Sequence, residues 1–536
     1  MAKDMGAGRG SRGAWAVAVA AALALFFALA TPVCAAPWDG RTYPSSYDLR
    51  DEGRVSPVRS QDGFSTCWVM APIRSLESNL LPSVRLDFSE NHMANFQSST
   101  LDYEGRASNL ISAAYFARWE GPVLERDDPY PRPDDSPEGL SAVRHVQEIL
   151  TLPPRAGFSD NAAIKWAVME EGAVAASLYW DREWMDYDTF GYFYSDGGMV
   201  EPTHWVSIVG WDDDYPAENF VYPARGNGAF LIKNSWGTDW GDLAGYFWVS
   251  YYDTSLGSEL MVDSGVEGAG NYDAIYQYDP LAWSKNIGFG SETAWFANRF
   301  RAAGKGTLAA VSFYTPSPGA TYEVRVAATV AGIATTSSRA RGSLAVAGYH
   351  TVKLTRPAAL KTGKRFVVAV RLTTPGSDEP IPLEHPWQLS SPSAARGQSY
   401  VSADGTKWTD LVTVKGFERS NVCLKALVDG NGRVDDEPPR VDVAGFTVKA
   451  GKAASIAFRV TDPAFSSASV NVRLVVKTAK GRTIKTRRVA GVCVGESRTW
   501  RFTAKMVPGK YRVEARGYDV AGNSQATPRR AILIVR

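Results

Sequence analysis

A chain of 536 residues is several times longer than a usual domain of about 100 to 200 residues, which excludes a single small module. Its 45% hydrophobic and 21% charged residues are the composition of folded protein. The net charge of +1 hides an asymmetry: residues 438–536 hold 20 Lys and Arg against 5 Asp and Glu, a balance of +15 that leaves −14 for residues 1–437.

Lys3, Arg9 and Arg12 precede an apolar run from Ala14 to Ala30, and Val33-Cys34-Ala35 offers a small-residue cleavage site. Residues 1–35 are therefore expected to be a secretory signal, with the mature chain secreted or held at the cell surface. A run of about 17 residues is short for a bilayer span, and no other segment is long and apolar enough, so no stable transmembrane span is expected after cleavage. Removal of Cys34 leaves Cys67, Cys423 and Cys493, an odd and scattered set that is poor material for a disulfide framework.

Next in the chain, Met70, Ile73, Leu76 and Leu80 fall three or four apart after Cys67 and predict a helix with one buried face. Pro72 inside it predicts a local kink. "VRHVQE" around His145 reads as a polar helix. Asp160 is the expected cap of a further helix that buries Ile164, Ala167 and Val168 and stops at Gly172. "THWVSIVGW", "GAFLIKNSWG" and "GYFWVSYYD" are rich in β-branched and aromatic residues and predict antiparallel strands. Up to about residue 262, then, the fold class is α+β.

From residue 272 the helical period disappears. Short alternating runs such as "TYEVRVA", "YHTVKL" and "RFVVAVRL" predict a β-sandwich ending near 430. "DGNGRVDDEPPR" reads as a linker, and "SIAFRV", "VNVRLVV", "KYRVEARGYD" and "AILIV" predict a second all-β unit of immunoglobulin size.

Chemistry concentrates in "VRSQDGFSTCWVMAP". Cys67 stands at the start of the first predicted helix, where unpaired backbone N–H groups favour a thiolate. A thiolate nucleophile also needs an imidazole that takes its proton and returns it to a leaving amine. His204, at the edge of a predicted strand, is the candidate; His92, His145, His350 and His385 read as packing or surface residues. Asn234 in "KNSWGTDWG" can accept the second imidazole N–H, and Gln61 can direct its amide at a developing oxyanion beside the Cys67 N–H. No metal or cofactor is expected. Asp212-Asp213-Asp214 lacks the alternating spacing of a calcium loop and reads as a solvated turn, as does "DVAGNS" at 519–524.

"SYDLRDEGRVSPVRSQ", the six-residue interval from Gln61 to Cys67, the following Trp68, "HWVSIVGWDDDY" and "KNSWGTDWGDLAGYFWV" together resemble the papain family of cysteine peptidases. His204 lies 137 residues after Cys67, within the family's interval of about 130 to 150, whereas Asn234 lies 167 after it, beyond a longer loop. The resemblance implies peptide or protein substrates, with Cys67, His204, Asn234 and Gln61 in the roles just described and Trp236 shielding the His204–Asn234 contact. "GPVLERDDPYP" and "YQYDPLAWSKNIGFGSETAWFANRF" are similar to bacterial members with a lectin-like β domain. The expected domains are a signal at 1–35, a peptidase domain at 36–265, a lectin-like β-sandwich at 270–430 and a basic immunoglobulin-like unit at 438–536. About ten residues separate the signal site from "YDLRDEG", too few for an inhibitory propeptide domain.

The cleft walls depart from the family. Phe64, Ser65 and Thr66 replace Cys, Gly and Ser before the nucleophile, Ala107-Ser108 stands where a Gly-Gly pair is usual, and Trp205 follows the histidine in place of a small residue. Bulk on both walls narrows the entrance, so a catalytically impaired surface scaffold or adhesin remains the competing reading. For an exported protein the +15 of residues 438–536 points to an anionic cell-envelope polymer, not nucleic acid; a basic spacer is the alternative.

Overall fold

The structure is a computed structural model that describes residues 36–97, 103, 108–196, 200–281, 283–388, 390–430, 438–461, 469–493, 497–518 and 524–536. The expected signal at 1–35, Ala107, most of the 429–440 linker and most of the 519–524 turn lie outside the described residues. Among those residues no helix is long and apolar enough to cross a membrane.

Helix α1 (Cys67–Leu80) is the expected helix, and its burial exceeds one face: every residue from Cys67 to Ser78 is buried. It runs unbroken past Pro72, whose absent N–H falls within its first two turns. Short helices α2 (Glu90–Asn95) and α3 (Asn109–Ala117) pack beside it. Helix α4 (Ala162–Glu170) has Asn161 in the N-cap position, because the Asp160 carboxylate instead accepts the Ala156 N–H at 2.9 Å. Gly172 then turns the chain at φ +125°, where a Cβ would lie 2.8 Å from Ser78 Oγ, so glycine is required twice over.

The expected helix around His145 is a strand, Arg144–Thr151. It is paired on both sides, to Leu260–Gly268 and to Ala347–His350, and two ladders of backbone bonds override a weak local period. Those pairings make it the middle of a 13-stranded sheet that runs from Ala274–Tyr276 at one end to Met185–Asp186 at the other. The sheet crosses between the α+β region and the following β region without interruption.

Over the far part of that sheet lies a six-stranded sheet, and between them Phe296, Val311, Phe313, Val324 and Val368 form a dry core, the expected sandwich. Beyond residue 438, a three-stranded and a five-stranded sheet enclose Ile456, Phe458, Leu474 and Val513, a second two-sheet unit. The polypeptide is thus an α+β region followed by all-β architecture.

Candidate active site

Cys67 is the first residue of α1 and is buried to 9% exposure. The preceding loop is fixed from beneath: Gln61 N–H donates to the Ser235 carbonyl at 2.8 Å, Phe64 N–H to the Gln61 carbonyl at 3.0 Å, and Tyr130 Oη to that same carbonyl at 2.9 Å. Thr66 Oγ1 and Tyr130 Oη lie 2.6 Å apart. Backbone and hydroxyl bonds on both flanks therefore set where the helix begins and where its first thiol points.

Across from this loop, the strand His204–Asp212 starts at the imidazole, and its antiparallel neighbour Ala229–Lys233 ends just before Asn234. His204 Nε2 and Asn234 Oδ1 are 2.8 Å apart. That oxygen also accepts the Ser235 N–H at 2.8 Å, which fixes it as the carbonyl end of the amide. An acceptor there requires the imidazole proton on Nε2, leaving Nδ1 with a lone pair. Burial pulls His204 down to about 4, a fall that the Asn234 bond opposes and the Arg74 charge adds to. Burial thus favours the uncharged form of the ring. Trp236 stacks on it at 4.7 Å and 21°.

A cavity of about 280 Å³ is lined by Gln61, Ser65, Cys67, Trp68, Trp180, Pro202, Thr203, His204, Trp205 and Trp236. Of the five histidines, His204 alone lines it. His92, His145 and His350 are buried in packing, and His385 is half-buried with Nδ1 2.8 Å from Ser420 Oγ. Three residues expected at the cleft are placed otherwise. Thr66 is fully buried and turned to Tyr130, Phe64 packs edge-on against Tyr103 at 5.5 Å and Tyr130, and Ser108 stands at the N-cap position of α3 without a side-chain cap bond, outside the residues that line the cavity. An aromatic pair thus absorbs the bulk of Phe64 away from the opening. Trp205 does line the cavity, while its 7% exposure and its packing with the core beneath Cys67 keep most of the ring out of it.

Two contributors carry no sequence signal of their own. Trp180 meets Trp236 edge-on at 4.7 Å and lines the cavity, brought there because Leu178 pairs with His204. Arg74, buried about two turns along α1 from Cys67, donates from Nη1 to the Asn234 carbonyl at 3.1 Å. It belongs to a buried group with Glu77, Glu90 and Lys233. Burial and then the Glu77 charge push Glu90 up to about 8, while burial and the Arg74 charge push Lys233 well down. In the acidic triplet, Asp213 Oδ1 accepts from Lys165 Nζ at 2.5 Å and Tyr251 Oη at 2.7 Å, and Asp214 N–H bonds to Asp212 Oδ1, a turn held by an internal bond and by side chains of α4 and of Tyr251. Cys67 and Cys423 are thiols, not disulfides; Cys423 is fully buried and its thiol is raised by that burial and by the Asp279 charge.

A thiol at a helix start, an oriented neutral imidazole and an amide-lined cavity define the cysteine-peptidase class of site. Comparison with known proteins agrees with it: residues 43–264 match the model for the papain family cysteine protease, and residues 275–428 that for the lectin like domain. The chain carries a papain-family C1 domain followed by a lectin-like domain.

The particular likeness is to a clostridial protein. A structure of the cysteine protease and lectin-like domains of Cwp84, described as a surface layer associated protein of Clostridium difficile, is 26% identical with a TM-score of 0.64, covering 73% of this chain and 90% of that one. A second, of the clostridial cysteine protease Cwp84 after propeptide cleavage, is 25% identical with a TM-score of 0.65 over 72% of this chain and all of that one. Among curated relatives, procathepsin L of Felis catus is 29% identical over 225 residues, 38% of this chain and 59% of that protein. Cathepsin J of Mus musculus is 28% identical over 226 residues, 39% and 60% respectively. The chain spans about 60% of the length of these curated relatives.

Proposed function

We propose that the protein is an exported cysteine endopeptidase that cleaves peptide bonds through Cys67, His204 and Asn234, with Gln61 serving the oxyanion. The observation that carries this reading is the 2.8 Å contact between His204 Nε2 and Asn234 Oδ1 in a ring that shares one cavity with Cys67.

In the first step His204 Nδ1 takes the thiol proton as the sulfur attacks the substrate carbonyl carbon. The oxyanion meets the Cys67 N–H and one amide hydrogen of Gln61. Gln61 is held for this by Ser235 Oγ, which donates to its Oε1 at 2.7 Å, and by its own bond from Nε2 to the Phe64 carbonyl; an amide nitrogen has two hydrogens, so one remains for substrate. As the C–N bond breaks, the imidazolium returns the proton to the departing amine. Water, deprotonated by His204, then attacks the thioester and releases the acid and the thiol.

The surface-layer association of Cwp84 and the basic, apolar, small-residue order of residues 1–35 support an extracytoplasmic setting. The same reading assigns catalysis to 36–265, a lectin-like unit to 270–430 and an immunoglobulin-like unit to 438–536. Exposed Arg440, Arg459 and Arg501 on the three-stranded sheet of that last unit favour an anionic envelope polymer as its external partner.

The test is labelling by a thiol-reactive peptidyl epoxide, with Cys67→Ala as the control. Wild type is expected to take one label per chain and Cys67→Ala none. Undiminished labelling of Cys67→Ala would show that another thiol reacts, and no labelling of folded wild type would favour the scaffold reading.

A further inference from the structure

The five-stranded sheet of the C-terminal unit does not face solvent throughout. On its strand Ser469–Thr478, Asn471 donates to Glu120, and Arg473 Nη1 lies 2.8 Å from Glu138 Oε1. From the strand Gly509–Tyr518, Arg516 Nη1 reaches the other oxygen of Glu138 at 3.4 Å. From Thr483–Cys493, Arg488 Nη1 donates to Asn95 Oδ1 at 3.3 Å and its guanidinium lies over the Phe96 ring at 5.0 Å. Phe96 in turn stacks on His92 at 4.3 Å.

Three features mark this seam as a fitted interface. Glu138 has a side chain only 11% exposed, held between two arginines, so its charge would be costly without them. The space left between the surfaces, lined by Phe96, Val472, Val489 and Tyr518 among others, is about 10 Å³, room for about one water at most. The charges also match at long range, a unit of +15 meeting a remainder of −14.

The peptidase side of the seam leads to the Cys67 loop. Asn95, which takes the Arg488 bond, donates from Nδ2 to the Arg132 carbonyl at 3.1 Å and to Ser136 Oγ at 2.8 Å. Asn91 Oδ1 accepts the Arg132 N–H at 2.7 Å, and Asn91 Nδ2 donates to Asp128 Oδ1 at 2.7 Å. Within this loop sits Tyr130, whose hydroxyl bonds the Gln61 carbonyl and Thr66.

We propose that the C-terminal unit is an intramolecular brace: its Arg473, Arg488 and Arg516 dock on Glu138, Asn95 and Phe96 of the papain-like domain and hold the 128–136 loop that positions Tyr130 against the Cys67 loop. The partner of this basic face is the chain itself. An anionic polymer is left the opposite sheet. The proposal concerns docking and stands whether or not Cys67 is catalytic.

The test uses the full chain, as wild type, as Glu138→Arg, and as the charge swap Glu138→Arg with Arg473→Glu and Arg516→Glu. Small-angle scattering reports docking, and amide hydrogen exchange reports the 128–136 loop. Glu138→Arg is expected to enlarge the radius of gyration and to speed exchange in the loop by about tenfold or more, and the swap to reverse both. Arg488→Ala, which leaves Glu138 paired, is expected to speed loop exchange by a smaller factor. Circular dichroism confirms that each variant is folded. The proposal is overturned if wild type already scatters as separated units, if Glu138→Arg changes neither reading, or if the swap, folded, restores neither. It is also overturned if a soluble anionic polymer displaces the unit from wild type without speeding loop exchange.

Discussion

At the scale of single residues, the Asn234 amide oxygen takes two donors, His204 Nε2 and the Ser235 N–H, each at 2.8 Å. Asn234→Ala removes the acceptor of both donors at once. The ring loses the bond that selects its tautomer, and a buried N–H is left unsatisfied at a cost of about 1–3 kcal/mol. Since tautomer choice matters for proton transfer and not for substrate affinity, kcat is expected to fall about 10²-fold with KM nearly unchanged, as read by steady-state kinetics on a peptide substrate. A KM effect of equal size with kcat intact would reject the orienting role. Gln61, Cys67 and His204 are legible as neighbours because residue chemistry and interval specify them. Trp180 and Arg74 are not, since each reaches the site through a register: Leu178 opposite His204 for one, and a turn of α1 beneath Asn234 for the other.

At the scale of elements, α1 and α4 are legible because a buried helix face repeats every three to four residues whatever lies against it. The strand Arg144–Thr151 is not, because its conformation is set by partners from residues 260–268 and 347–350 that no local window contains. A similar non-local junction surrounds the strand Ile381–Glu384. Glu384 is 1% exposed and accepts the Leu281 N–H at 2.7 Å and the Asn421 Nδ2–H at 3.0 Å. Burial, then the Asp279 charge, push it up to about 8. Between an ordinary carboxyl value near 4.5 and about 8, the folded chain keeps a proton that the unfolded chain releases. This contribution to stability is complete below that window and is lost as pH rises through it, by up to about 1.4 kcal/mol per pH unit. Glu384→Gln does not titrate. The stability of wild type relative to the variant is expected to decline from pH 5 to 8 and then level off, measured by denaturant midpoints. Parallel curves would place the proton elsewhere.

At the scale of the molecule, composition and patterning read as a row of independent units, yet the α+β domain and the lectin-like region share both a sheet and a core. Tyr349 and His350 pair with Ile149 and Glu148, and without them the strand Arg144–Thr151 becomes an open edge. The core that holds Cys67, Trp68, Ile73 and Phe88 also includes Tyr314, Tyr349 and Cys423, with Trp283 and Trp387 packed against it. The wall under the thiol is therefore built partly from residues more than 200 positions downstream. A fragment ending at residue 265 would expose these aromatic contacts together with the strand edge, the combination that favours association over folding. Residues 36–265 expressed alone are expected to bind a hydrophobic dye, to elute as aggregate and to lack a cooperative melt, whereas 36–430 is expected to be monomeric and to melt cooperatively. Size exclusion and thermal unfolding decide it. A monomeric 36–265 whose midpoint matches that of 36–430 would mean that the shared sheet and core contribute nothing to the stability of the Cys67 region.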